Sequence, residues 1–552
     1  MYNSVVAAVA AVDDRMGGNV MSKMSLHEVM ADKKIVGALL NNTLVSLLEL
    51  TENDAKTAVW VSVDSDIGNK IYEKSLFMLL VAAVRSIYPK ASVTIEHTIN
   101  TGLFCRIFDR SFPVLKMDHI EKIKTKMREM IDADIPFTLK TNLSEPEMNQ
   151  IFRHEEMVEK EDICHRLKCK SLVNLNEKVY DFGIFKTVPS TGYIQVFDLQ
   201  YYPPGLLLRM PEISDHAKLA EFHERKKLFR VHQEFKHWAE FLDMEYISSL
   251  NDKIENGEFQ EMILVSEGMH EKYISSIAQN IKQNIDRSRL ILIAGPSSSG
   301  KTTFSKRLAI QLRVEGLTPV TIGMDDYFLP KDRTPLNEKG EPDFESVHAI
   351  DIPLFNDQII TLLEGGEILL PRYNFMTGKR EEGMLMRIKH NQPIIIEGIH
   401  GLNPELTRFI PDIIKYKIYV SALTQLNLDS YNRIKTTDVR LIRRIVRDAQ
   451  FRGHTAQATL KMWPEVRRGE DMNIFPYQEQ ADVMFNSSLP YELAVMKDFA
   501  LKYLESVPEN SPEYLKAQEL MFILRLFESI DPYHTPKSSI LREFVGNSIF
   551  DY

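Results

Sequence analysis

The 552-residue chain has only three cysteines and no excess of positive charge: 67 Lys and Arg stand against 77 Asp and Glu, a net charge of −10. Three cysteines cannot staple a chain this long. A disulfide framework is therefore excluded, and a reducing compartment, the cytoplasm, is expected. The acidic balance excludes a protein that binds polyanions through its overall charge, although a local basic face stays open. Long apolar runs are missing too. The VVAAVAAV segment at residues 5–12 has no basic leader and is far too short to span a bilayer, so neither a targeting nor a membrane segment is expected. No fixed-period repeat or low-complexity block is present. What remains is ordinary globular composition, 44% apolar and 26% charged. The length suits about three or four domains.

One stretch carries a specific chemistry. Residues 291–303 read ILIAGPSSSGKTT, an apolar run entering a glycine-rich loop that opens a helix near Lys301. Gly295, Gly300, Lys301 and Thr302 match G-x-x-x-x-G-K-[ST], the phosphate-binding loop. The glycines let the backbone curl so that successive N–H groups point into one concavity, and the positive end of the following helix adds to it. The expected nucleotide-binding set is Gly295, Pro296, Ser297, Ser298, Ser299, Gly300, Lys301, Thr302 and Thr303. Lys301 would reach the β- and γ-phosphates, and the Thr302 hydroxyl would take a place on magnesium.

Downstream, strands alternate with helices, as a parallel sheet requires. The strand Val320–Ile322 ends in Asp325 and Asp326, and the strand Pro393–Ile396 ends in Glu397. Carboxylates at the carboxyl ends of central strands face the ligand crevice of an open α/β sheet. Two beside a phosphate loop can serve a magnesium site and a general base. Asp325 is the candidate base; Thr302, Glu397 and Asp325 are the candidate metal ligands. Residues 440–453, RLIRRIVRDAQFRG, place Arg440, Arg444 and Arg447 on one helix face, with Arg443 beside them and Arg452 at the helix end. Guanidinium groups there can stabilise a transferring phosphoryl group.

The front of the chain is patterned less strongly. A short helix is expected at Ser25–Met30, a hairpin over Val36–Leu50 turning at Asn41 and Asn42, and a strand at Ala58–Val63. Helices are expected at 70–88, 118–133 and after Ser144. The run ICHRLKCKSL reads as helix, which faces Cys164 and Cys169 different ways and argues against zinc. His97 beside Glu96 reads as a half-buried strand residue. Residues 212–285 read as charged bridging helices, one at His216–Leu242 and one at His270–Ile285. The aromatic stripe of the first (Phe222, Phe229, Phe235, Trp238, Phe241) reads as a packing face. An amphipathic helix is expected at 512–532.

The motifs GPSSSGKTT, MDDYF, PDFES, PRYNF, IIIEG and RLIRRIVRDAQFRG resemble those of the uridine kinase and phosphoribulokinase group of P-loop kinases, and within it the uridine kinases most. The resemblance implies that Asp325 takes the proton of a ribose 5′-hydroxyl and that Glu345 holds the ribose hydroxyls. It also implies that Tyr373 and Phe375 flank the base, that Tyr327 joins the substrate-binding set, and that Arg444, Arg447 and Arg452 close as a lid. Arg444 also counts as a substrate contact. Two base-reading positions depart from that pattern: Gly378 stands in place of a His, and Met462 in place of a Gln. A site that has lost its hydrogen-bonding partners loses base discrimination.

A second resemblance covers residues 20–210. LVSLLELTENDAKTA (44–58), VTIEHTINTGLFCRIF (93–108) and DFGIFKTVPSTG (181–192) resemble the N-terminal half of threonyl-tRNA synthetases, a β-grasp (TGS) module followed by an editing domain. The metal-binding and catalytic positions of that editing domain fall here on Lys74, Met78, Gly183 and Thr187, which predicts loss of aminoacyl-ester hydrolysis. A kinase subfamily joins these two halves, and the closing SILREFVGNSIF (539–550) resembles its tail.

The expected organisation is a TGS-like β-grasp module at 1–63, an editing-like α+β domain at 64–212 and a helical linker at 213–285. An α/β P-loop kinase domain at 286–505 and a C-terminal helix and tail at 506–552 complete it. The expected function is ATP- and magnesium-dependent phosphorylation of a ribonucleoside, uridine first and cytidine second. Two alternatives stand beside it: a kinase for another nucleoside or a phosphopentose, and an RNA-binding regulator with an ATP switch. An RNA or nucleotide effector at the front half and a homo-oligomer are further expectations.

Overall fold

The computed structural model describes residues 25–374, 377–389 and 392–552. The apolar run at 5–12 and Phe375 lie outside the described residues. Ser25 caps the helix Leu26–Ala31, and Glu28 returns a bond to its N–H. The strands Ile35–Leu40 and Thr43–Val45 form the expected hairpin, and Val59–Ser62 pairs on the other side of Ile35–Leu40. Asn41 and Asn42 make the turn with φ of 48° and 59°, a conformation asparagine tolerates.

The helix expected at 70–88 starts earlier and spans Asp66–Ile87, because Ser65 accepts the Gly68 N–H and caps it there. Its residues Leu76–Val84 are fully buried, and it forms the axis of the front half. An antiparallel sheet packs beside it in the order Ser92–Ile99, Gly102–Phe108, Gly205–Arg209, Asp198–Tyr202. Phe137–Lys140, Leu172–Leu175 and Val179–Phe182 make a second, three-stranded sheet.

Four helical expectations need correction. The helix containing Cys164 stops at Leu167, because Lys168 turns left-handed with φ of 48°, and Cys169 lies beyond it. The helix expected from His216 begins only at Lys226. Residues Asp215–Leu219 are instead a strand against Pro211–Glu212, and Phe222 is held on Tyr202 and under the Arg209 guanidinium. The helix expected at His270–Ile285 is Phe259–Gln283, with another at Ile247–Glu255 before it. Most of the aromatic stripe packs as expected: Phe229 meets Phe104, and Phe235 stacks on Tyr273. Phe241 alone of the five is largely exposed. The C-terminal helix is shorter than 512–532, spanning Tyr514–Arg525.

The C-terminal half is built on a five-stranded parallel sheet. Its order is Val320–Gly323, Ile394–Glu397, Leu290–Ala294, Lys415–Ser421, Val483–Asn486. The strands Leu290–Ala294 and Ile394–Glu397 are buried and accordingly read as nearly unbroken runs of Ile and Leu. In this register Glu397 lies level with Gly323 on one side and Ile293 on the other. Three chain segments therefore leave the sheet at one edge: the loop after Ala294, the turn after Gly323, and the residues after Glu397. No helix among the described residues is long and apolar enough to cross a membrane.

The halves meet through a buried ionic cluster. Lys160, fully buried, donates to Asp181 at 2.6 Å and lies 3.1 Å from Asp429. Lys74 also pairs with Asp181, and the Asn432 amide donates to Asp429 at 2.8 Å and to Asp181 at 3.2 Å. Asp429 and Asn432 belong to a short hairpin of the kinase half, Asn427–Arg433. Burial pushes the Asp181 carboxyl up, but the two ammonium groups outweigh it and hold it well below the usual carboxylate range. Lys74, which the sequence resemblance aligned with a synthetase metal ligand, is engaged in an ion pair. Met78 and Thr187 are buried, and a side chain at Gly183 would begin 2.4 Å from Ser171 Oγ.

Candidate active site

The strand Leu290–Ala294 delivers the chain to the loop at 295–300, and the helix Lys301–Val314 leaves it. Gly295 is required by space: a Cβ there would lie 2.0 Å from the Val420 carbonyl. Gly300 is required by backbone conformation, with φ of 82°. Lys301 Nζ donates to the Pro296 carbonyl at 3.1 Å, folded across the concavity. Burial lowers its pKa, while Glu397 and Asp325 oppose that shift. Thr302 Oγ1 donates to Glu397 Oε2 at 3.4 Å.

Buried arginines brace the loop from behind. Arg440 Nε donates to the Ser297 carbonyl at 2.9 Å and pairs with Glu470, whose Oε1 accepts the Ser297 N–H at 2.9 Å. Arg443 reaches the Ser298 carbonyl at 3.4 Å and bonds Glu492 at 2.6 Å; Ser487 Oγ donates to the Ser299 carbonyl at 2.5 Å. Arg440 was grouped by helical spacing with Arg444 and Arg447, yet it turns inward and is fully buried. Glu470, Glu492 and Ser487 carried no sequence signal, because a carboxylate inside a charged helix reads as solvated until its partner is known.

The remaining arginines gather at the front of the helix Thr436–Phe451. Arg447 donates twice to Asp448 Oδ1, at 2.9 and 2.8 Å. Arg444 Nε lies 3.2 Å from Asp448 Oδ2, and Arg452 Nε lies 3.7 Å from Oδ1. Arg444 Nη1 also donates to Ser297 Oγ at 2.7 Å. One buried carboxylate thus holds three like charges together beside the loop. Asp448→Asn is expected to lower kcat by about 10- to 100-fold, the usual cost of losing a supporting bond around a site, with KM for both substrates little changed. Steady-state kinetics on the folded variant checks the split.

Asp325 lies in the single turn Met324–Tyr327, which follows Gly323 directly. Asp325 is exposed to solvent, yet protein atoms crowd around its carboxylate. Desolvation raises its pKa; Lys301 and Arg452 pull the other way, and Asp326 adds to the rise. Asp325 therefore feels Lys301 and Arg452 at once. Asp326 accepts the Tyr373 N–H at 3.3 Å and fastens the hairpin Glu367–Arg387 to this turn. Glu397 is pushed up to about 7 by burial, with Lys301 opposing and Asp325 adding.

Glu345 lies within reach of the charges of Arg444 and Lys301. It packs against Gly469, where a Cβ would lie 2.5 Å from its own, and its carbonyl accepts from Asn473 at 2.8 Å. Burial raises its carboxyl to about 7, against the pull of Arg444. Tyr373 is buried against Phe328 and Phe344, at ring-centroid distances of 5.6 and 6.4 Å. Tyr327 corrects an expectation. It is fully buried, its ring edge-on to Phe355 and its hydroxyl donating to Gln358 at 2.9 Å, so it supports the turn from the core and does not reach the crevice. Gly378 has φ of 65° beside Lys331, so a turn stands at the position where related kinases are expected to carry a base-reading His.

These residues match a known kinase family. Residues 290–493 fit the Phosphoribulokinase / Uridine kinase family. A uridine kinase of Halalkalibacterium halodurans is 29% identical over 199 residues, which is 36% of this chain and 85% of that protein. One from Deinococcus deserti is 27% identical, again over 36% of this chain and 87% of the relative. A solved structure of a possible uridine kinase from Bacillus stearothermophilus covers 38% of this chain and 97% of its own, at 17% identity and a TM-score of 0.25. The C-terminal half thus contains a P-loop kinase domain of this family, and the protein is an enzyme of the uridine kinase type, a phosphotransferase.

Proposed function

We propose that this protein transfers the γ-phosphoryl group of ATP to the 5′-hydroxyl of a ribonucleoside, uridine first and cytidine second, as a step of pyrimidine salvage. One observation carries the reading. Asp325 and Glu397 end neighbouring parallel strands beside the phosphate loop, and both feel the charge of Lys301. In this reading residues 295–303 hold the triphosphate. Asp325 accepts the proton of the attacking hydroxyl. Lys301, Arg444, Arg447 and Arg452 stabilise charge on the transferring group, and lid closure excludes the water that would otherwise hydrolyse ATP. Glu345 accepts from the ribose hydroxyls, and Tyr373 helps form the wall for the base, with Phe375 as its proposed partner.

The donor set fits magnesium: Thr302, Glu397 and Asp325 are hard oxygen ligands, and this ion takes one or two carboxylates plus substrate phosphates. When bound, magnesium would neutralise charge on the β- and γ-phosphates.

The acceptor is tested with γ-labelled ATP against a panel of ribonucleosides and pentose phosphates, using the full chain. Label in UMP supports the proposal. Label only in a pentose bisphosphate replaces it with the second reading, which the turn at Gly378 favours by offering no base-reading side chain.

The pKa of Glu345 gives a second test. Its ionised form accepts from two hydroxyls, so acceptor binding should be full above pH 7 and fade below it. We expect kcat/KM for the nucleoside to fall about tenfold per pH unit below 7, one proton per site. Glu345→Gln should start lower and lose this limb; any acid limb that persists belongs to Glu397 or Asp325, both raised by burial.

For the front half we propose the boundaries expected from the sequence, with one change: the linker begins after the strand Asp215–Leu219. Its role is proposed as recognition of an RNA or nucleotide effector. Its cluster with Asp429 and Asn432 gives it a mechanical route to the kinase sheet.

A further inference from the structure

The helix end of the phosphate loop is covered by the chain itself. Glu543 Oε2 accepts the backbone N–H of Thr303 at 3.2 Å and the Thr303 hydroxyl at 2.8 Å. The Tyr552 hydroxyl stands 2.8 Å from that same Thr303 Oγ1. Lys306, one turn on, bonds the Asp551 carbonyl and lies 5.5 Å from the centre of the Tyr552 ring. Ile540 packs so tightly under Gly300 that a Cβ there would lie 2.5 Å from its Cγ2. Phe544 sits 5.1 Å from the guanidinium of Arg443, the loop's brace.

These contacts fall where the donor is expected. In a loop of this motif the backbone N–H groups of the loop and the first helical turn cradle the α- and β-phosphates. Thr303 follows Lys301 and Thr302 in that turn, and its N–H already has an anion: a carboxylate. A triphosphate brought to the same N–H meets both an occupied donor and a like charge. The segment is also divided mechanically. Ile540, Leu541 and Phe544 are fully buried and anchor it, whereas Tyr552 is 59% exposed and is held by its hydroxyl, beside Thr303 and Ser548, and by Lys306 over its ring.

We propose that the C-terminal segment 543–552 is a resident competitor of the donor nucleotide. Glu543 stands in for the α-phosphate at Thr303 and Tyr552 latches it; nucleotide binding turns the Glu543 side chain away and releases Tyr552, while the backbone anchored by Ile540, Leu541 and Phe544 stays docked. The proposal rests on residues 295–303 being the donor site, and it adds a built-in brake on nucleotide affinity. Removing the Glu543 charge takes away a charge-assisted bond that the nucleotide must otherwise break.

The test is binding of a fluorescent ATP analogue with magnesium to the full-length wild type, Glu543→Gln and Tyr552→Phe, together with hydrogen exchange over residues 537–552. Glu543→Gln should bind roughly tenfold more tightly, the scale of one bond to a charged group, and Tyr552→Phe should gain less. Nucleotide should speed exchange of the tail amides in the wild type, a readout that stands even if a variant fails to fold. Equal or weaker binding by Glu543→Gln, or a tail that exchanges no faster with nucleotide bound, overturns the proposal. Absence of binding by all three proteins overturns the donor-site reading itself.

Discussion

Asp325→Asn is expected to lower phosphoryl transfer to the nucleoside by about 10²- to 10⁴-fold, the range a positioned general base supplies. ATP binding should stay within about threefold, because the phosphate contacts come from the loop backbone and Lys301 rather than from this carboxylate. Asn keeps the shape of the side chain and one oxygen for magnesium but cannot accept a proton, so a loss in the transfer step with donor binding retained marks the base role. The neighbour gives the contrast. Asp326 accepts a backbone N–H from Tyr373 and so positions the hairpin. Asp326→Asn should weaken acceptor binding more than it slows the transfer step. Rapid-quench kinetics with γ-labelled ATP, beside equilibrium binding of an ATP analogue, measures both variants. A near-normal rate for Asp325→Asn would remove the base assignment.

Asp181→Ala should be the most destabilising single change outside the crevice. Two buried ammonium groups, Lys160 and Lys74, pair with this carboxylate, and Lys160 is fully enclosed. Removing it leaves Lys160 with Asp429 and Lys74 with Asn432, one positive charge too many in a dry site. Breaking a buried pair from one side costs about 3–5 kcal/mol, because the remaining charge stays desolvated. The loss should appear as a lower melting temperature and as faster proteolysis where the halves join. A charge-balanced double variant, Lys160→Met with Asp181→Leu, should recover much of it, since replacing a whole buried pair by apolar residues of similar size is often neutral. If the single variant melts with the wild type, the cluster does not hold the halves together.

The kinase half was legible because its signals are local. Gly295, Gly300, Lys301 and Thr302 sit at fixed spacing, and Asp325 and Glu397 each end an apolar run that a buried parallel strand requires. The braces were not legible, because each is one half of a long-range pair. Glu470, Glu492 and Glu543 look like ordinary acidic residues until Ser297, Arg443 and Thr303 are brought beside them. Arg440 and Arg444 share a helical face by spacing, yet one faces the core and the other the crevice, and a periodicity argument does not resolve that angle. Tyr327 lay too close in sequence to Asp325 for its opposite orientation to be foreseen. In the front half, helix starts moved wherever a cap or an edge pairing decided them, at Ser65 and at Asp215–Leu219.

The proposed transfer requires a hydroxyl and a triphosphate to meet between Asp325 and Lys301. A single-turnover experiment with γ-labelled ATP and excess enzyme, with and without saturating uridine, tests this most directly. The predicted result is rapid passage of the label into the 5′-position of UMP when uridine is present, and slow release as phosphate when it is absent. Label appearing as inorganic phosphate at one rate in both cases would contradict it.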